Sequence, residues 1–145
     1  MSQVKRLATW TMMAVLGLTG ATAGCASGTP AVRMVSSADV PAASGTVKAS
    51  LTDNGNTALE VEVRHLARPE LVQAGATTYV VWARAPGGAP QNLGALQVDE
   101  DLHGRLKTIT PLRSFDVFIT AEPAATAMRP TSRRLLSASI MPTRD

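Results

Sequence analysis

The sequence predicts an all-β domain, a seven-stranded antiparallel sandwich of the immunoglobulin-like type, from three observations. From Gly45 onward, short runs alternate apolar and polar residues with period two. Turn-forming Gly, Pro, Asn and Asp break these runs about every ten residues, the spacing that such a sandwich requires. The chain has 145 residues, 45% of them hydrophobic, which is one domain's worth with enough apolar content for a core. An open or partly closed barrel of similar size satisfies the same pattern.

The first run, 46–51, sets Val47, Ala49 and Leu51 on one side and Thr46, Lys48 and Ser50 on the other. Asp53-Asn54-Gly55-Asn56 follows, and Asn-Gly provides the positive φ of a tight hairpin, so the next run returns beside the first. In that run, 57–64, Leu59, Val61 and Val63 alternate with Glu60, Glu62 and Arg64, predicting one buried and one wet face. Residues 65–76 hold Pro69, Gly75 and irregularly spaced Leu66, Leu71 and Val72. They predict a crossing loop with one helical turn, long enough to pass between sheets. Residues 77–84 are apolar on both parities, as in a central strand. Pro86-Gly87-Gly88-Ala89-Pro90 turns the chain into a strand over 91–98, and Asp99-Glu100-Asp101 with His103-Gly104 makes a polar hairpin tip before 105–110. Residues 115–122 alternate again, 123–133 form a loop broken by Pro123 and Pro130, and 134–140 make the last strand. The predicted sandwich domain spans 45–141.

Composition excludes several classes. The charged fraction is 17%, below that of a long solvated coiled coil, and one Cys excludes an intramolecular disulfide framework or a Cys-rich zinc site. The formal net charge of +3 includes Lys5 and Arg6 of a targeting segment. Without them twelve basic residues face eleven acidic ones, which is no footprint for nucleic acid.

Residues 1–24 read as a signal peptide: two cations in the first six residues, then a charge-free stretch carrying Leu7, Trp10, Met12, Met13, Val15, Leu16 and Leu18. Thr9, Thr11, Gly17, Thr19 and Gly20 dilute it, so a cleaved signal fits better than a spanning anchor. Cys25 follows Thr22-Ala23-Gly24, which resembles the lipobox of bacterial lipoprotein precursors, with Thr22 where that family prefers Leu. Ala21-Thr22-Ala23 also satisfies an ordinary secretory cleavage site, leaving Gly24 first and Cys25 a free thiol. An uncleaved helix is the third reading. Residues 25–44, rich in Ser, Gly, Thr, Pro and Ala, read as a flexible tether without structure that gives the domain clearance from a membrane.

Thr78-Tyr79-Val80-Val81-Trp82-Ala83, then residues 87–94 (Gly-Gly-Ala-Pro-Gln-Asn-Leu-Gly), then Phe115–Glu122 with Pro123, and Pro130-Thr131, together resemble the extracytoplasmic domain of anti-sigma-K factors over roughly residues 57–140. The resemblance implies a shared sandwich domain in the envelope. It does not carry over the regulatory activity, because that family has a sigma-binding domain ahead of its membrane helix, and only Met1 to Arg6 precede the apolar stretch here.

His65 and His103 lie thirty-eight positions apart and in no metal-binding spacing, so a zinc enzyme would need further ligands from a loop. Asp99, Glu100, Asp101 and His103 concentrate negative charge at a hairpin tip, but the spacing of a calcium loop is absent. No G-x-S-x-G motif and no phosphate-binding glycine loop occurs, and Glu60 and Glu62 sit on a wet face as solubilising charges. Four aromatics follow the signal: Tyr79, Trp82, Phe115 and Phe118. Each pair has opposite parity, so Tyr79 and Phe115 point into the sandwich, and Trp82 and Phe118 point away from it. Either the tether or the 65–76 loop covers Trp82 and Phe118 as a satellite core, or the two rings form a partner-binding patch flanked by Arg84. The expectation is a non-enzymatic lipoprotein of the bacterial envelope without a cofactor or metal, anchored through Cys25 on the periplasmic or outer-membrane side. It would act in association with an envelope protein partner or as a structural spacer. The alternative is a metal- or small-molecule-binding envelope enzyme built on His103 and the acidic tip.

Overall fold

The computed structural model describes residues 28–142, so the stretch 1–24 read as a signal peptide, and Cys25, lie outside the described residues. In chain order the elements are β1 (Ala31–Arg33), β2 (Val35–Ser36), β3 (Ser44–Leu51), β4 (Thr57–Arg64), the single helical turn α1 (Pro69–Val72), β5 (Thr78–Arg84), β6 (Gln91–Ala95), β7 (Gln97–Val98), β8 (Gly104–Thr110), β9 (Phe115–Glu122) and β10 (Leu136–Ile140). The strands form two antiparallel five-stranded sheets, the first in the order β1-β3-β4-β8-β7 and the second in the order β2-β10-β9-β5-β6.

Period-two sequence becomes a sandwich because each sheet has one face that must leave water. In β4 the residues Leu59, Val61 and Val63 are buried and alternate with half-buried Ala58, Glu60 and Glu62. Val47 on β3 and Leu106 on β8 sit opposite Val61 in register, giving an apolar row across the first sheet. The second sheet answers with Tyr79, Val81 and Ala83 from β5 and Phe115, Val117 and Ile119 from β9, all in the same buried cluster. Each fully buried aliphatic side chain contributes about 1.5–3 kcal/mol, and a register slip of one residue would put every one of them in water.

The connections also follow local chemistry. Gly55 takes φ +79° in the β3–β4 hairpin, and Leu51 pairs directly with Thr57. The 65–76 segment crosses from the first sheet to the second with its one helical turn, and the buried Tyr79 hydroxyl holds it by donating to the Ala67 carbonyl at 2.7 Å. Burial, with the nearby Glu70 charge, pushes that phenol up to about 12.

Two expectations need correction. Residues 31–36, read as unstructured tether, form β1 on β3 and β2 on β10, with Met34 buried between them. Gly45 permits this, since a Cβ there would stand 2.8 Å from the Met34 sulfur, and its carbonyl accepts the Met34 N–H at 2.8 Å. Second, the run 91–98 is not one strand: β6 pairs with β5 in the second sheet, and β7 pairs with β8 in the first. The strand segments among the described residues therefore number ten instead of seven. Both switches place a buried apolar residue at the bend, Met34 on one side and Leu96 on the other, so a chain segment passes between the sheets at each open edge. Edge strands left as short as these offer little template for pairing with another chain.

Candidate functional site

The residues singled out for binding lie on the outer side of the second sheet. Val80, Trp82 and Arg84 of β5 share that side with Asp116, Phe118, Thr120 and Glu122 of β9, and Trp82 stands opposite Phe118 in register. The inward and outward parities are as the alternation predicts. The patch itself is not a surface: Trp82 is 0% exposed and Phe118 is 1% exposed, and with Val80 they form a second buried cluster. Their rings stack with centroids 6.5 Å apart and planes 17° from parallel. Arg84 remains half-exposed at the margin, 3.6 Å from Asp116.

The cover is neither the tether nor the crossing loop. It is the segment 123–135, whose Ala127 packs on the cluster and whose Arg134 guanidinium sits 4.1 Å from the Phe118 centroid. Polar contacts clasp this segment from both neighbouring strands. The Asn92 amide donates to the carbonyls of Ala125 and Ala127, each at 2.9 Å. Asn92 can do so because Trp82 pairs with it while Val81 pairs with Gly94, leaving Leu93 as the extra residue of a bulge.

On the other side the clasp is a buried carboxylate. The Trp82 indole N–H can only donate, and it does so to the Thr120 hydroxyl at 2.8 Å. That hydroxyl donates in turn to Glu122 Oε1 at 2.5 Å. The Thr131 backbone N–H donates to both Glu122 oxygens at 2.9 and 3.1 Å, and the Thr131 hydroxyl donates to Oε2. Burial works to raise the Glu122 pKa, but the hydrogen bonds from Thr120 and Thr131 and the backbone N–H groups of Thr131 and Ser132 outweigh it and hold the carboxyl below its ordinary value. An ionised carboxylate thus ends a directed chain that starts at the indole. Sequence reasoning passed over Glu122, although one signal was present: an acid on the same parity as Trp82's partner Phe118 must either face water or find donors.

The acidic tip is a turn. Asp99 Oδ1 accepts the His103 N–H at 2.9 Å, Asp99 N–H donates to the His103 carbonyl, and Asp99 Oδ2 lies 3.8 Å from His103 Nδ1. His65, which follows β4 at the same end of the first sheet, meets His103 edge-on at 6.3 Å between centroids. Among the described residues no group of three or more His, Cys, Asp or Glu side chains is placed to hold a metal.

The outer side of the first sheet is open. Register aligns Lys48, Glu60 and Lys107 in one row, and Arg33, Thr46, Glu62 and Arg105 in the next. Lys107 reaches Glu60 at 3.0 Å and Arg105 lies 3.8 Å from Glu62. The hydrogen bond from Lys107, with the charges of Lys107, Lys48 and Arg105, holds the Glu60 carboxyl below its ordinary value against a smaller opposing effect of burial. A groove of about 600 Å³ runs over this side between Lys48 and Lys107, with Gly28 and Thr29 along one wall.

Fold and clasp together define the class: an all-β, two-sheet sandwich with a second small core outside its main one. Comparisons with family models, curated proteins and solved structures returned no match.

Proposed function

We propose that this chain is a lipid-anchored lipoprotein of the bacterial envelope whose β-sandwich acts without enzymatic chemistry, by associating with an envelope protein. The anchor reading rests on the sequence, where the sole cysteine, Cys25, follows Thr22-Ala23-Gly24 at the end of a signal-like segment. The observation that favours association over spacing is the way the chain enters the fold. Because β1 and β2 join both sheets, only residues 25–30 remain between Cys25 and the domain, a reach of about 20 Å at full extension. A domain held so close to its anchor suits contact at the membrane better than clearance from it.

The finer fold type belongs to the same proposal. Counting β6 and β7 as one bent strand and setting β1 and β2 aside leaves seven, the number of an immunoglobulin-like sandwich. The resemblance to the anti-sigma-K extracytoplasmic domain is supported by where its motif residues meet: Trp82, Asn92, Glu122 and Thr131 all belong to the clasp. A motif made of residues that hold one another would be shared for structural reasons, so it points to a common domain and to no particular activity.

Fractionation of cells expressing the full chain tests the anchor. The wild type is expected in the membrane fraction, with Cys25→Ser released to the soluble fraction. A soluble wild-type protein whose mature N-terminus is Gly24 would establish ordinary secretory cleavage instead. In-cell cross-linking then tests association, and a membrane-bound chain that cross-links to nothing would reject it.

A further inference from the structure

Building on the anchored reading, we infer that the outer side of the first sheet docks on anionic lipid headgroups and sets how the domain sits on its membrane. The charge there is lopsided. Register gathers Arg33, Lys48, Arg64, Arg105 and Lys107 on one side of the sheet, with only Glu60 and Glu62 to offset them. A solubilising cross-strand ladder would pair its charges evenly; five bases against two acids leave a positive surface. Lys48, Lys107, Arg33, Arg64 and Arg105 are all exposed, and Ile109 beside them is 62% exposed, an apolar contact at the same level. Long basic stems around a small apolar spot suit a headgroup layer, where cations meet phosphates and the aliphatic portions stay out of water.

The position of the chain's entry singles out this side. Gly28 and Thr29 lie along the groove that Lys48 and Lys107 line, so the polypeptide arrives across the first sheet. Cys25 is three residues earlier, which keeps it within about 11 Å of Gly28. A lipid on Cys25 therefore brings this side to the bilayer first, and attachment raises the local concentration of headgroups far above that of any free partner. The opposite side of the sandwich is already covered by the chain's own 123–135 segment.

The test uses the full chain, purified from membranes and reconstituted into vesicles, and reads lysine acylation by a water-soluble amine reagent with mass spectrometry. Lys48 and Lys107 are the only lysines among the described residues, so they report this side directly. In phosphatidylcholine vesicles containing about one quarter phosphatidylglycerol, both are expected to react roughly fivefold more slowly than in phosphatidylcholine alone, and about 0.5 M salt is expected to abolish the difference. Arg129 and Arg133 of the opposite segment, read with an arginine reagent, keep their reactivity. Arg33→Glu/Arg105→Glu, which leaves both reporter lysines in place, is expected to remove the protection. Protection that survives this double variant, or equal lysine reactivity in the two lipids with the chain still on the vesicles, overturns the docking and leaves the anchor standing. A chain that floats free of both vesicle types overturns docking and anchor together.

Discussion

Both sheets of this sandwich carry an outward row of side chains, and the two rows have opposite fates. On the first sheet the row is Lys48, Glu60, Glu62, Arg105 and Lys107, with cross-strand ion pairs in water. On the second it is Val80, Trp82, Phe118, Thr120 and Glu122, all dry beneath residues 123–135. The inner faces are alike, since both feed one aliphatic core. The outer side of a strand in a sandwich is thus not wet by default: a loop of modest length converts it into interior when the strand offers large rings to pack on and a carboxylate to hold the loop down. Charge also means different things on the two sides. Glu60 is one of several exchangeable surface charges, whereas Glu122 is committed to the Thr120 hydroxyl and to the N–H and hydroxyl of Thr131, and is fully buried.

The sharpest way to break this contrast is to empty the second cluster. Trp82→Ala is expected to destabilise the domain by about 3–5 kcal/mol in urea unfolding, as for other buried aromatics. A loss below about 1 kcal/mol would mean that the outer side of the second sheet behaves like that of the first.

Next comes Glu122→Gln, expected to cost about 1–3 kcal/mol because charge-assisted hydrogen bonds become neutral ones and the amide must place two hydrogens among donors. This change also has a pH signature. The Glu122 carboxyl lies below its ordinary value of 4.5 in the folded state, so its stabilisation is complete above that value and is lost as pH falls through the folded-state pKa. Wild-type stability should therefore drop on acidification below about pH 4.5 more steeply than that of Glu122→Gln. Parallel profiles for the two proteins would remove the carboxylate from the account.

A smaller effect is expected for Asn92→Ala, which deletes the two hydrogen bonds to Ala125 and Ala127. About 1 kcal/mol of stability should go, together with faster amide exchange in 124–131; unchanged exchange there would show that the segment is held without Asn92. The least effect belongs to the first sheet. Lys107→Ala removes the 3.0 Å pair with Glu60 at an exposed site and should change stability by less than about 0.5 kcal/mol. A cost comparable to that of Glu122→Gln would erase the distinction between the two sides.

Much of the fold was legible in the residues. The alternation over Thr57–Arg64 and Phe115–Glu122 matches the strands residue for residue, and the crossing loop with one helical turn lies where Pro69 and Gly75 placed it. The opposite parities of Tyr79 and Trp82 were readable too, and they correctly separate the main core from the second cluster. What covers that cluster was not readable. Residues 123–133 are Ala, Thr, Ser, Pro and Arg with one Met, without period, and nothing in them announces that Thr131 will meet Glu122 or that Arg134 will lie over Phe118. The strands at 31–36 were missed for a related reason: three residues on one sheet and two on the other are too short for any period to show.

The sequence by itself determined the properties that depend on near neighbours: which positions alternate, where a positive φ is needed at Gly55, and where prolines end a strand. These follow from the two-residue pleat and from backbone sterics, which act over a few residues. Only the tertiary structure decided which sheet each run joined, where β6 gives way to β7, which loop buried Trp82, and that the bases of β1, β3, β4 and β8 would share one side with two acids. Those outcomes depend on register and on contacts between residues tens of positions apart, as in the thirty-eight between Trp82 and Thr120, and such pairings are chosen by burial of the whole core, to which no local stretch of chain has access.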